Sequence, residues 1–124
     1  MQILFVDDNP LMQQVISHVL QSQGYQVTIA ETGAEALASV RQAPCQLCVI
    51  DMRLPDTDGP ALLLALRRET GMAQCPAIAI SGLGEADRER TVAAGFEHFL
   101  IKPLDLDQLL AMVAHYLVEL QRGA

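Results

Sequence analysis

Five short apolar runs alternate along the chain with longer stretches in which apolar residues recur every three or four positions. The short runs are Ile3–Val6, Tyr25–Ile29, Leu47–Ile50, Ala77–Ile80 and Glu97–Ile101. Most are nearly continuous in apolar character, as strands covered on both faces of a parallel sheet must be. The longer stretches read as amphipathic helices. In the first, Leu11, Val15, Ile16, Val19 and Leu20 share one helical face. Asn9 is placed to cap it, Pro10 suits its first position and Gly24 stops it. Thr32-x-x-Glu35 reads as a capping box opening the second helix. The third follows Asp58-Gly59-Pro60 and runs through Leu62, Leu63 and Leu66 to about Gly71. The fourth covers Ala86–Ala94 and ends at Gly95. The last begins at Asp105, with Gln108 completing a cap-like pair; its expected buried face is Leu106, Leu109, Leu110, Val113, Leu117 and Leu120.

This (βα)₅ alternation predicts an α/β domain, a doubly wound sheet of five parallel strands with helices on both faces. Such sheets place functional groups at the carboxyl ends of their strands. At 124 residues the chain is one domain's worth, and 51% apolar residues suffice for a core. With 4% aromatics and no Trp, that core must be aliphatic. The net charge of −7, from 15 acids against 8 scattered bases, argues against direct nucleic-acid contact. Seven of the bases are Arg; the only Lys is Lys102. No secretory leader pattern and no apolar run of roughly 18 residues is present, so no membrane contact by this domain is expected. The odd count of three Cys fits a reduced, cytoplasmic setting.

The expected strand ends carry a consistent chemistry. Asp7-Asp8-Asn9 follows the first strand, Asp51 the third, Ser81-Gly82 the fourth and Lys102-Pro103 the fifth. If the first and third strands are neighbours, Asp7, Asp8 and Asp51 converge, and three carboxylates repel unless a cation shares them. Mg²⁺ suits that role, taking one or two carboxylates, a carbonyl and waters while leaving room for phosphate oxygens; Mn²⁺ is a plausible substitute. Lys102 supplies a fixed cation and Ser81 a hydroxyl donor. These are the parts that phosphoryl transfer onto an Asp needs. Taken singly, each has an ordinary reading as a turn or capping residue.

Together these residues resemble the response-regulator receiver family over nearly the whole chain, Ile3 to Leu117. The pieces are Val6-Asp7-Asp8-Asn9, Asp51-Met52-Arg53-Leu54-Pro55-x-x-Asp58-Gly59, Ser81 thirty positions beyond Asp51, and Lys102-Pro103 preceded by Ala94-Gly95-Phe96. The resemblance implies a flavodoxin-like fold, with residues 1–124 forming one receiver domain. It implies that Asp51 is the phosphoacceptor and that Asp8, Asp51 and the Arg53 backbone carbonyl hold Mg²⁺, with Asp7 acting chiefly through metal-bound water. Lys102 would pair with a phosphoryl oxygen, beside a cis peptide to Pro103. Ser81 and Phe99 would be the switch pair, remodelling the face of the fourth helix, fifth strand and fifth helix. The implied partner is a histidine kinase or histidine phosphotransfer domain, and a dimer through that same face is a further implied assembly. Ser81 stands where Thr is commoner and Phe99 where Tyr is. Gly82 leaves the site more open, whereas Arg53 and Leu83 are bulky. The run of residues also looks like receivers attached to hybrid histidine kinases; a stand-alone regulator is the other setting.

Two other functions fit the same architecture. A phosphatase of the haloacid-dehalogenase type also uses an Asp nucleophile and Mg²⁺, but needs a second Asp where this chain has Arg53. A flavin carrier needs a Ser/Thr/Gly-rich phosphate loop where this chain has Asp7-Asp8. Cys45-x-x-Cys48 has the spacing of a redox or zinc half-site; only Cys75 remains as a further thiol, so core cysteines are expected. His18, His98 and His115 are dispersed and expected to be surface or partly packed residues.

Overall fold

The first apolar run becomes the centre-left strand of a five-stranded sheet. In the computed structural model, which describes residues 1–123, β1 (Gln2–Val6), β2 (Gln26–Ala30), β3 (Leu47–Asp51), β4 (Ala77–Ser81) and β5 (His98–Ile101) are all parallel, in the order β2-β1-β3-β4-β5. Between them lie α1 (Pro10–Ser22), α2 (Gly33–Gln42), α3 (Gly59–Arg67), α4 (Arg88–Ala94) and, at the end, α5 (Leu106–Gly123). The chain therefore has the doubly wound architecture that the alternation predicts, with the flavodoxin-like strand order that the family resemblance implies.

Alternate residues of each strand feed two separate cores. Ile3, Phe5, Val49, Ile78 and Ile80 pack with Ile16 and Leu20 of α1 and with Leu109 and Val113 of α5. Leu4, Val6, Ile50 and Ala79 face the other way, onto Val40 of α2 and Leu62, Leu63 and Leu66 of α3. β3 and β4 are buried at all five positions each, which is why their sequences are continuously apolar up to the terminal Asp51 and Ser81. Of the expected α5 face, Leu109 and Val113 are buried and Leu106 and Leu110 half-buried, while the side chains of Leu117 and Leu120 lie outside those described.

The caps follow the sequence closely. Asn9 Oδ1 accepts from Met12 N (3.1 Å), Asp58 Oδ1 from Ala61 N (2.8 Å) and Asp105 Oδ1 from Gln108 N (3.1 Å). Thr32 Oγ1 accepts from Glu35 N (3.1 Å), but the Glu35 carboxylate reaches Glu31 N (2.6 Å), so the box closes one residue early. Asp56, beyond any local motif, adds a second anion at the α2 N-terminus, accepting from Gly33 N (2.8 Å) and Ala34 N (3.0 Å).

Three boundaries differ from expectation, each for a physical reason. β3 and β4 run one residue longer than expected, because Asp51 and Ser81 still pair in the ladder, with Ile80 and Ile101, while β5 begins one residue later, at His98. Asp51 and Ser81 are part of the sheet rather than of the loops after it. α3 ends at Arg67, not near Gly71: beyond it the backbone bonds shorten to Arg68 N→Ala65 O and Glu69 N→Leu66 O, and Gly71 turns at φ +81° to bring Met72 into the core. α4 starts at Arg88, with Ala86 and Asp87 in a preceding 3₁₀ turn (Gly84–Asp87). Asp87 makes no capping bond there, because its carboxylate is committed elsewhere.

Candidate functional site

Register alone brings the acids together. Val6 pairs with Ile50, so the next residues, Asp7 and Asp51, leave neighbouring strands side by side. Donor oxygens of Asp7, Asp8 and Asp51 all lie within 4.8 Å of one another. Asp7 and Asp51 are buried and Asp8 is exposed. Asp7 Oδ1 accepts from Asn9 N (2.9 Å), and Gln13 Nε2 holds the Asp7 carbonyl (2.7 Å). Asp7 Oδ2 is buried without any hydrogen-bond donor. Burial, with the charges of Asp51 and Asp8 adding to it, raises the Asp7 pKa despite the Asn9 amide and Lys102.

Lys102 reaches this cluster from β5. Its backbone N donates to Ser81 O (2.8 Å), its Nζ lies 2.8 Å from Asp51 Oδ2 and 3.8 Å from Asp7 Oδ2, and its bond to Pro103 is cis. Burial pulls the Lys102 pKa down, but the Asp51 hydrogen bond and the surrounding acids outweigh it, so the net shift is upward and the ammonium stays charged. The 31% exposure of its side chain leaves a path for solvent to the pair. The loop after Asp51 folds back tightly. Arg53 N donates to Asp51 Oδ1 (3.1 Å), Arg53 bridges Asp58, and Gly59 N donates to Met52 O (2.9 Å). A Cβ on Gly59 would stand 3.1 Å from Met52 Cα and 3.3 Å from Asp51 O, so this close return favours Gly.

The donor set fits a hard divalent cation. An orphaned, buried carboxylate oxygen beside two further carboxylates is the arrangement that Mg²⁺ relieves, and all donors are oxygens.

Ser81 is fully buried and does not donate into the acid pocket. Its hydroxyl donates to Asp87 Oδ2 and accepts from Leu83 N (3.0 Å). Asp87 is itself buried, and the Arg53 guanidinium grips it in bidentate fashion, at 2.6 Å and 3.0 Å. The Arg53 hydrogen bonds, with help from Ser81 and Arg90, hold the Asp87 pKa down at about 2 despite burial. Sequence reasoning missed this residue: it lies in a charged stretch that reads as a solvated face. Phe99 is half-buried with the Arg88 guanidinium 5.1 Å from its ring centroid. His98 is exposed and meets the Tyr116 ring edge-on at 5.3 Å.

Asp87 gives the fold a defined acid sensitivity. Its folded pKa is depressed, so its contribution is fully present above the unfolded value of about 4 and lost as pH falls towards 2. Asp7 works in the opposite sense, since its raised pKa means that protonation relieves a cost. Urea midpoints should therefore fall more steeply between pH 4 and 2 in the parent than in Asp87→Asn. Equal slopes in the two proteins would show that the ion pair carries no net stability.

The response regulator receiver domain family model matches residues 3–114. A 14.6 kDa protein from the sodA1 3′ region of Leptolyngbya boryana is 33% identical over 117 residues, covering 94% of this chain and 89% of that protein. The DNA-binding dual master transcriptional regulator RpaA of Synechocystis is 32% identical over 113 residues. The match covers 90% of this chain but 47% of RpaA, so the chain spans about half the length of that relative. Among solved structures, the receiver domain of sensor histidine kinase PA1611 from Pseudomonas aeruginosa, with a magnesium ion in its active site cleft, is similar at a TM-score of 0.84 and 32% identity. That similarity covers 93% of this chain and 95% of the other.

Proposed function

The chain belongs to the response regulator receiver domain family, the signalling module of two-component and phosphorelay systems, and from that premise we propose that Asp51 is its phosphoacceptor. The observation that carries this reading is the convergence of Asp7, Asp8 and Asp51, with one buried Asp7 oxygen left without a donor. Asp8, Asp51 and the Arg53 carbonyl would hold Mg²⁺, with Asp7 beside them and Mn²⁺ serving as a substitute. The ion supplies charge neutralisation for the phosphoryl oxygens.

The chain's own residues supply the rest. A carboxylate oxygen of Asp51 attacks the phosphorus of a phosphohistidine on a partner kinase or phosphotransfer domain. The nitrogen–phosphorus bond breaks, the imidazole leaves, and the product is an aspartyl phosphate. Lys102, already 2.8 Å from Asp51, exchanges a carboxylate oxygen for a phosphoryl one. Ser81 can donate to the phosphoryl group only by releasing Asp87, which links the site to the 3₁₀ turn and α4. Phe99 follows by leaving the Arg88 guanidinium, and the face of α4, β5 and α5 becomes the signal. Val92 and Ile101 are exposed on those elements, as a surface that docks a partner or a second copy requires. Among the described residues no helix is long and apolar enough to cross a membrane, which suits a cytoplasmic partner.

The test is a mass measurement. Incubation with acetyl phosphate and Mg²⁺ should add one phosphoryl group per chain, and EDTA should prevent it. No mass gain at saturating donor would refute the assignment. Rapid, continuous turnover of simple phosphate esters would point instead to a phosphatase.

A further inference from the structure

The cysteines that read as ordinary core residues meet at one point. Cys45 precedes β3, Cys48 is its second residue, and Cys75 lies two residues before β4. Because Cys48 pairs with Ala77, Cys75 sits on the same face of the sheet as Cys48's neighbour. The Sγ atoms of Cys45 and Cys48 are 3.5 Å apart, those of Cys48 and Cys75 3.6 Å, and those of Cys45 and Cys75 4.0 Å. All three thiols are free and buried. They are also every cysteine the chain has, gathered from two strand entrances at the end of the sheet away from the acids. Packing alone has no need of this, since Ala or Val fills such positions as well.

We propose that Cys45, Cys48 and Cys75 form a three-thiolate site for a soft monovalent metal ion of filled d shell, Cu(I) in particular. The geometry is preset. A point equidistant from the three sulfurs in their plane lies about 2.1 Å from each, against roughly 2.3 Å for a metal–thiolate bond. An ion therefore fits with adjustments of about 0.2 Å, close to the sulfur plane. Thiolate donors select soft ions. Among the described residues no His, Asp or Glu joins the three within ligand distance, so the protein offers three donors and not four. A structural Zn²⁺ site needs four, whereas Cu(I) is satisfied by three in a trigonal plane.

Entry and charge are also provided for. An open depression lined by Pro44, Gln46, Gly71, Gln74 and Pro76 reaches Cys45 and Cys75 at its floor. The Arg67 guanidinium donates to Cys75 O at 3.1 Å and is paired with Glu97 at 2.7 Å, and its Nε is buried without an acceptor. Its charge is thus shared between Glu97 and the negative charge of a copper–thiolate centre. Each thiolate formed on binding releases its proton to solvent.

The test uses the whole chain, reduced and kept free of oxygen, titrated with Cu(I) against a chromogenic Cu(I) chelator. One equivalent per chain should leave the chelator, and X-ray absorption should show three sulfurs at roughly 2.3 Å. Cys45→Ser and Cys75→Ser should each weaken binding by more than the roughly 10–100-fold that changes around a ligand cause. Unchanged circular dichroism and retained phosphorylation by acetyl phosphate show that a variant is folded, and Cys45→Ala replaces any serine variant that is not. The proposal fails if the chelator keeps its copper, or if folded variants withdraw it as well as the parent. It also fails if Zn²⁺ binds more tightly than Cu(I), with the four-coordinate spectrum of a Co²⁺ replacement.

Discussion

Asp51→Asn should abolish the phosphoryl mass gain completely, while the protein remains folded. The substitution is nearly isosteric and leaves the last rung of β3 intact, because the ladder with Ile80 uses only backbone groups. What it removes is the proposed nucleophile: an amide oxygen does not form a stable acyl phosphate, whereas a carboxylate does. It also removes the charge that Lys102 pairs with at 2.8 Å, leaving the ammonium with Asp7 at 3.8 Å. The loss should therefore be total in intact-protein mass spectrometry, with acetyl phosphate or a phosphorylated partner as donor. A mass gain of normal size in Asp51→Asn would move the acceptor to another residue and overturn the proposed site.

Asp7→Asn should produce two large effects of opposite value. In the metal-free protein the Asp7 carboxylate is fully buried, one oxygen has no donor, and two other carboxylates face it. Neutralising it removes an uncompensated burial cost of about 1–3 kcal/mol, enough to raise Tm by several degrees. The Asn9 amide keeps an acceptor in the new side chain. The same change strips the site of charge that a divalent cation needs. Parent protein should gain Tm with increasing Mg²⁺, as any ligand that binds only the folded state requires; the variant should gain little and phosphorylate slowly. Lower stability in Asp7→Asn, measured without metal, would mean that Lys102 already satisfies the carboxylate and that the acids are not poised for a cation.

The legibility of this fold and site has a physical basis. The strands were readable because burial on both faces leaves continuous apolar runs, and the caps because they act over three or four residues. Asp7, Asp8, Asp51, Ser81 and Lys102 are legible as candidates because each lies at the carboxyl end of such a run. What escaped detection depends on distant pairs. Asp87 is held by Arg53, thirty-four positions away, and nothing in Gly84-Glu85-Ala86-Asp87-Arg88 marks one acid as buried. Asp56 caps a helix that begins twenty-three positions earlier in the chain. The meeting of Cys75 with Cys45 and Cys48 depends on the β3–β4 register, which no local spacing encodes. α3 ends at Arg67, short of Gly71, because the residues after it do not continue the helical period that Leu62, Leu63 and Leu66 set.

The single hydroxyl hydrogen of Ser81 sets the character of any signal that passes through it. That hydrogen is now spent on Asp87, in a pocket where Ser81 is fully buried and no solvent competes. One hydroxyl donates one hydrogen bond at a time, so an individual molecule holds either the Asp87 carboxylate or a phosphoryl oxygen and has no half-engaged state. With Ser81 in its proposed role, the response would be digital in each molecule. Graded output would then arise only from counting, as the fraction of chains in each arrangement shifts with the supply of phosphoryl groups.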